Sequence, residues 1–486
     1  MTTSITIHIN GTEICVPAGT TLLAAARQLG IEIPTLCHLQ ETVPLVSCML
    51  CVVQEAGSGR LVPACATRAA TGLAVLTDTP EVHAARRDVL SLLLSEHVGD
   101  CEAPCRRICP AHLNIPQMLR LVGHDDWPAA ASLAQRDLVL PASLGYVCPA
   151  PCEKGCRRGL VDTTLAIRAT HRQAGELVLT LKTPATRVPD TGKRVAVLGA
   201  GPAGLAAAAI LRRLGHACTV YETRPEAGGP LLDLPETTLP RQVLAAEIAA
   251  IAATGVGFRC NWHPEAESAD DLRSSHDALI VADARIGIDP ARHGVFMAEE
   301  IKLTVKAVAN GKHAAVKADL FLRGIHAEPP PVFDSRINKV RPSEASQLQV
   351  NCPEIATGTA APVAEAARCL HCDCRKPETC KLRQHATRYG APQGEFPADE
   401  RRHLELVADH GTVVYEPGKC IRCGICVRIT AAAGEPLGLA FVGRGIATQV
   451  KVPFAEPISA GLLKTAAACI AACPTGALAF FNHGKP

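Results

Sequence analysis

The chain has 486 residues, enough for several domains around separate cores. Its charges nearly cancel at net +2 and only 3% of its residues are aromatic, which argues against a nucleic-acid face and leaves proteins and small molecules as partners. Its 23 cysteines, in a chain this long and at cluster-like spacings, read as metal-bound thiolates rather than a disulfide scaffold. With no charged-then-apolar leader, and with the longest apolar run, 195–211, broken by glycines and Pro202, the expectation is a soluble cytoplasmic protein without a membrane span.

The chain opens with Ile5, Ile7 and Ile9 alternating with polar residues, a two-residue turn at Asn10-Gly11, and Ile14 and Val16 resuming the alternation, which predicts a hairpin. A short helix over 21–29, stopped by Gly30, completes a ββα opening. Cys37, Cys48, Cys51 and Cys65 follow, two in a tight Cys-x-x-Cys loop and one approaching from either side. A two-iron rhomb needs four thiolates placed this way, whereas structural zinc usually takes two Cys-x-x-Cys pairs. This segment, 1–80, resembles the β-grasp [2Fe-2S] domain of respiratory complex I's large iron–sulfur subunit and of iron-only hydrogenases.

A second group supplies His97, Cys101, Cys105 and Cys109, then Cys148, Cys152 and Cys156, with Asn114-Ile115-Pro116 between. Over 81–190 it resembles the helical domain of the glutamate synthase small subunit and of dihydropyrimidine dehydrogenase, where two [4Fe-4S] clusters interleave. Carried over by position, the resemblance implies one cluster on Cys101, Cys105 and Cys156 and another on Cys109, Cys148 and Cys152. Six cysteines are too few for two cubanes, and His97 and His171 are the candidate remaining ligands, against the alternative of ordinary surface or core histidines.

A strand over 193–198 leads into Gly199, Ala200, Gly201, Pro202, Ala203 and Gly204, an alanine-rich helix, and a second strand ending at Glu222. Glycines let backbone approach a pyrophosphate at a helix N-terminus, and the acid accepts from ribose hydroxyls. Gly228-Gly229 and Leu239-Pro240-Arg241 then resemble the FAD half of the glutamate synthase small subunit, which favours FAD over NAD. In that family a separate NAD(P)H domain interrupts the FAD domain. Here Asp283-Ala284 is followed within a few residues by Gly294-Val295-Phe296, too short a gap for a domain of roughly 50 residues or more. Asp283-Ala284 stands for the family's Thr-Gly, and Glu299-Glu300 for the Gly-Asp pair that contacts the flavin linker. An added carboxylate near a pyrophosphate repels it. The FAD domain is expected over 191–327 and a linker over 328–360.

Residues 361–395 pack Cys369, Cys372, Cys374 and Cys380 into twelve positions, read as one [4Fe-4S] site with a zinc knuckle as the alternative. The last segment, 396–486, carries half of a two-cluster ferredoxin: Cys420, Cys423 and Cys426, completed by Cys473 before Pro474. Thr430, Leu463 and Ala466 empty the other cluster's ligand positions and strand Cys469. Cys15, Cys218, Cys260, Cys352 and Cys469 are left over, most of them read as small core residues.

The expected fold class is multidomain α/β: a β-grasp [2Fe-2S] ferredoxin, a helical bis-[4Fe-4S] domain, a Rossmann-like FAD domain and a C-terminal ferredoxin-like [4Fe-4S] domain, with about four [4Fe-4S] clusters in all. No spacing suggests a nucleophile triad or a carboxylate pair. The resemblance implies an electron-transfer subunit, in a hetero-oligomer that includes bifurcating arrangements, between an NADH-oxidising flavoprotein and a catalytic formate dehydrogenase, hydrogenase or aldehyde oxidoreductase. Two other classes remain: an autonomous FAD and iron–sulfur NAD(P)H oxidoreductase, which would reduce dyes without partners, and a scaffold with residual clusters, which would hold little iron.

Overall fold

A computed structural model describes residues 4–40, 42–181, 188–264, 268–326, 329, 331–349, 361–396 and 404–481. The chain divides into two compact units, both discontinuous in sequence: Met1–Glu102, Pro330–Asn351 and Asp373–Pro486 form the first, Ala103–Pro329 and Cys352–Cys372 the second.

In the first unit the alternating isoleucines form the strand Ser4–Ile9, paired antiparallel with Thr12–Pro17 in register Ile7 to Ile14. Asn10 and Gly11 both take positive φ, as a tight two-residue turn requires. The strands join Val52–Glu55, Leu61–Pro63 and Ala74–Leu76 in a five-stranded sheet ordered 2-1-5-3-4. Ile7, Ile9 and Val53 from one face bury against Leu22, Leu23 and Ala26 of the helix Leu22–Gln28, which Thr21 caps. A longer helix, Pro80–Ser95, opens with Thr79 as cap and Pro80 at its first position.

The C-terminal part of this unit pairs Val413–Tyr415 antiparallel with Leu478–Phe480, and Ala440–Val442 with Gln449–Lys451. Helices Ile425–Ala432 and Ala466–Ala472 pack on them. The second ferredoxin site is closed by packing rather than left open. Thr430 is buried, its Oγ1 accepts the Leu439 N–H at 3.1 Å, and Cys469 is fully buried beside Leu462.

The stretch read as a linker, 328–360, needs correction where it is described. Ser335 and Ile337 are buried, and residues 334–337 run along the loop at 99–102. The Cys101 N–H donates to the Ser335 carbonyl at 3.1 Å, Ser335 Oγ to the Gly99 carbonyl at 2.7 Å, and the Ile337 N–H to Asp100 Oδ1 at 3.1 Å. Polar composition without periodicity resembles a tether, yet these backbone groups all find partners, as buried backbone must. Residues 350–360, including Cys352, lie outside the described residues.

The second unit combines helices with a five-stranded, wholly parallel sheet ordered 5-4-1-2-3, built from Arg194–Leu198, Ala217–Tyr221, Gly257–Arg259, Ala278–Val281 and Val295–Met297. The first and fourth strands are buried throughout, bar the first residue, as strands covered on both faces are. Helix Pro202–Arg213 packs against Thr304–Leu322, where a Cβ at Gly311 would overlap the Ala203 carbonyl. The fourth strand passes to the fifth through one 3₁₀ turn, Ala284–Ile286, and no second nucleotide-binding sheet exists among the described residues.

Candidate cofactor sites

Cys37, Cys48, Cys51 and Cys65 are all buried. Hydrogen bonding between Cys48 and Cys37 favours the Cys37 thiolate and pushes the Cys48 thiol up; Cys51 and Cys65 form a second such pair, with Cys65 the lowered member. Arg428 donates from Nη2 to the Cys37 carbonyl at 2.7 Å and from Nη1 to Thr42 Oγ1 at 2.7 Å, so the helix Ile425–Ala432 fixes this loop.

Cys420, Cys423, Cys426 and Cys473 line one small cavity with Tyr415 and Ile425. Burial is the largest cause pushing Cys420 up to about 11 and Cys423 to about 12, with neighbouring thiols adding to it. Burial disfavours the bare thiolates, and a cation bound among them would favour them. A shared core of Leu36, Leu50, Leu94 and Leu382 encloses Cys37, Cys48, Cys380 and Cys423.

Of the four cysteines between 369 and 380, Cys369 and Cys372 fall in the second unit and Cys374 and Cys380 in the first. Cys374 and Cys380 lie in the first unit with Cys101: the Cys374 N–H donates to the Cys101 carbonyl at 3.3 Å, and the Ser335 N–H points at Cys101 Sγ at 3.4 Å. Burial, with Cys374 and Cys380 adding, pushes the Cys101 thiol up to about 12. A Cβ at Gly476 would overlap Cys374 Sγ, so the backbone at 476 is part of this cradle. His97 precedes Cys101 by one turn of chain. Its ring is partly exposed, but its Nδ1 is buried with no protein partner, and burial, then the charge of Lys419, pull its pKa down to about 3.

Cys369 and Cys372 belong instead to the second unit, where they line a small cavity with Cys105 and Cys156. The sequence reading, one site on 369–380 and one on Cys101, Cys105 and Cys156, therefore differs from the observed grouping. Proximity along the chain suggested one site, whereas the boundary between the units falls between Cys372 and Asp373.

A second small cavity of this unit is lined by Cys109, Cys148, Cys152 and His171. His171 is 4% exposed, and its Nδ1 lies 3.2 Å from the Pro141 carbonyl. A carbonyl only accepts, so the proton sits on Nδ1 and the Nε2 lone pair is available, the arrangement that orients metal-bound histidines. Burial lowers its pKa to about 4, keeping the ring neutral. Cys105 and Cys109, at opposite ends of one helical turn, serve adjacent cavities, as do Cys152 and Cys156. Among the described residues no three His, Cys, Asp or Glu side chains converge as ligands of a single ion do. Thiolates of a polynuclear cluster bind different irons and stand further apart.

The nucleotide-type turn has its expected shape. Gly199 takes φ +105°, and a Cβ at Gly204 would overlap the Gly199 carbonyl, so both need glycine. Glu222 is buried and accepts the Ala200 N–H at 2.7 Å and the Arg224 N–H at 2.9 Å. Gly229, at φ +52°, closes on Gly201. Glu300 enters the cradle itself: its Oε2 accepts the Ala203 N–H at 3.0 Å and lies 2.5 Å from where a Gly201 Cβ would stand. Burial, with Asp283 adding, raises the Glu300 pKa to about 7. The turn, helix and acid fit a dinucleotide, and the Glu300 carboxylate takes a donor that its pyrophosphate would use.

Sequence reasoning missed Lys419, 3% exposed, whose Nζ donates to Glu416 Oε1 at 2.7 Å. Burial lowers its pKa, but Glu416 and Cys374 outweigh burial and hold it above the ordinary value. No residue pattern distinguished this lysine from a solvated one.

Three family models match the chain: a 2Fe-2S iron–sulfur cluster binding domain at residues 2–80, dihydropyrimidine dehydrogenase domain II with its 4Fe-4S cluster at 95–182, and an NAD(P)-binding Rossmann-like domain at 197–237. Among curated proteins, the NADP(+)-dependent formate dehydrogenase subunit beta of Moorella thermoacetica is 37% identical over 205 residues, 37% of this chain and 29% of that one. The NADPH-Fe(3+) oxidoreductase subunit beta of Geobacter sulfurreducens is 34% identical over 186 residues, 37% and 28%. The glutamate synthase [NADPH] small chain of Bacillus subtilis is 33% identical over 177 residues, 36% of each. The matches thus span about a third of these relatives' length. The chain is a multidomain α/β protein with segments that match 2Fe-2S, 4Fe-4S and Rossmann-like dinucleotide domains in that order, about a third of it similar to these oxidoreductase subunits.

Proposed function

We propose that the protein is an electron-transfer subunit that holds five iron–sulfur clusters and FAD and relays electrons between an NADH-oxidising flavoprotein and a catalytic oxidoreductase of formate dehydrogenase, hydrogenase or aldehyde oxidoreductase type. The observation that supports this reading is three small cavities, each lined by three or four cysteines, and on that basis we assign 18 cysteines and two histidines to five sets. The sets are Cys37, Cys48, Cys51 and Cys65 for [2Fe-2S]; then, for [4Fe-4S], Cys420, Cys423, Cys426 and Cys473; His97, Cys101, Cys374 and Cys380; Cys105, Cys156, Cys369 and Cys372; and Cys109, Cys148, Cys152 and His171. Clusters supply one-electron steps, and a flavin joins them to a two-electron step. Around these groups the chain supplies dry apolar walls and one histidine in each of two sets, which raises a cluster's potential by removing a negative charge.

The short Asp283-to-Gly294 passage supports a subunit that depends on another protein for nicotinamide oxidation. An anaerobic pull-down of the tagged protein from its host, with mass spectrometry and an NADH–dye assay of the eluate, tests this. Co-purification of a flavoprotein and a catalytic subunit, with NADH activity only in the complex, is expected. A lone protein that oxidises NAD(P)H would overturn the relay and establish an autonomous oxidoreductase.

A further inference from the structure

Lys419 lies where a lysine is costly. It is 3% exposed and sits between two of the proposed cluster sites, directly before Cys420 and with its stem against the Cys374 cradle. Two glycines make room for it. A Cβ at Gly99 would overlap Lys419 Cε and stand 2.9 Å from Cγ, and a Cβ at Gly476 would overlap Cys374 Sγ with Lys419 Cδ 3.8 Å away. Neither glycine has a left-handed φ, so space for the lysine stem and the thiol explains them, not turn geometry.

The Lys419 carbonyl accepts Thr475 Oγ1 at 3.0 Å, which ties its backbone to the residue two positions after Cys473. Glu416 is 6% exposed and accepts both Lys419 Nζ at 2.7 Å and Arg375 Nη1 at 3.3 Å. Two cations share one carboxylate, so Lys419 is more than the partner Glu416 needs. A buried ion pair kept only for stability gains little over apolar packing. A buried cation beside thiolate ligands, by contrast, stabilises the state with one more electron, because reduction adds negative charge in a medium that screens poorly.

We propose that Lys419 is the tuning cation of the His97, Cys101, Cys374 and Cys380 site, raising its midpoint potential so that electrons collect there rather than on the [2Fe-2S] set. The proposal rests on the ligand reading above. Lys419 acts as a permanent charge, and Glu416 is its counterweight.

The test is an anaerobic redox titration of the full-length protein followed by electron paramagnetic resonance, with the site's signal identified as the one lost in Cys374→Ala. Lys419→Met, close in shape and uncharged, should shift that signal's midpoint potential down. Glu416→Gln should shift it up, and Lys419→Arg should leave it near wild type. The [2Fe-2S] signal should not move in any of them. A pair that only holds the fold would not move this one potential in opposite directions when its cation and its anion are neutralised in turn. Unchanged potentials at full iron content in Lys419→Met and Glu416→Gln would overturn the proposal, as would equal shifts of every signal. Should Lys419→Met lose iron, Glu416→Gln decides alone. Failure of the ligand reading looks different: Cys374→Ala would then retain every cluster signal.

Discussion

The carboxylate of Glu300 makes FAD binding a pH-dependent event. At ordinary exposure this group titrates near 4.5, and in the cradle it is raised to about 7, chiefly by burial and then by Asp283. Asp283 stays charged because Arg285 holds its pKa down. At about 1.36 kcal/mol per pH unit, placing charged Glu300 in the cradle costs on the order of 3 kcal/mol. The sign follows: a carboxyl raised on folding contributes stability that is full below its ordinary value and lost as pH rises through about 7. A pyrophosphate arriving at the Ala203 N–H meets a neutral acid below that pH and a repelling carboxylate above it. FAD affinity should therefore be flat in acid and weaken roughly tenfold per pH unit above about 7. Glu300→Gln should bind FAD with no such slope and at least roughly tenfold more tightly one pH unit above the midpoint. Fluorescence titration of FAD into flavin-free protein across the neutral range measures both. Parallel pH curves for wild type and Glu300→Gln would refute the reasoning.

The grouping of cysteines gives a sharper contrast. Cys372→Ala and Cys374→Ala, two positions apart, should each abolish a different cluster signal, and Cys372→Ala should lose the same one as Cys105→Ala; electron paramagnetic resonance with iron quantitation distinguishes this from a single site on 369–380. Glu247 is buried and accepts the Ala142 and Ser143 N–H groups at 2.8 and 2.9 Å, at the start of helix Pro141–Val147. Glu247→Ala strands both donors and should cost about 1–3 kcal/mol, read as a lower melting temperature with iron retained in the first unit's sites. Gly204→Ala, by contrast, forces a methyl onto the Gly199 carbonyl and should destabilise the second unit by about 1–3 kcal/mol while abolishing FAD binding, a loss that Glu300→Gln cannot restore.

What the sequence revealed was local. The hairpin through Asn10-Gly11 and the turn from Gly199 to Gly204 are short-range patterns whose φ angles and close approaches demand particular residues, and both stand where the chain predicts them. The thiols at 37, 48, 51 and 65, and at 420, 423, 426 and 473, were legible because each set's core is a Cys-x-x-Cys loop. The partners of Cys101 were not, since they arrive from residues 374 and 380 and no spacing rule spans an intervening folded unit. Residues 334–337 looked like a tether because their role is carried by backbone hydrogen bonds, which side-chain composition does not report. Lys419 was invisible for a related reason: burial of a lysine depends on two glycines far from it in sequence.

The discontinuity of the first unit has a consequence for how the protein is made. As the chain leaves the ribosome, Cys101 emerges early and waits as an orphan thiol until Cys374 and Cys380 have been synthesised. Closing so long a loop at random carries an entropic cost, although one that grows only with the logarithm of its length. The second unit removes most of that cost, because Ala103 near its start and Cys372 at its end line the same cavity. Within the first unit the Cys374 N–H then meets the Cys101 carbonyl at 3.3 Å. Iron loading should then run in a fixed order, with the set at Cys105 and Cys372 filled before the one at Cys101 and Cys374. A protein starved of iron during synthesis would lack the outer set first.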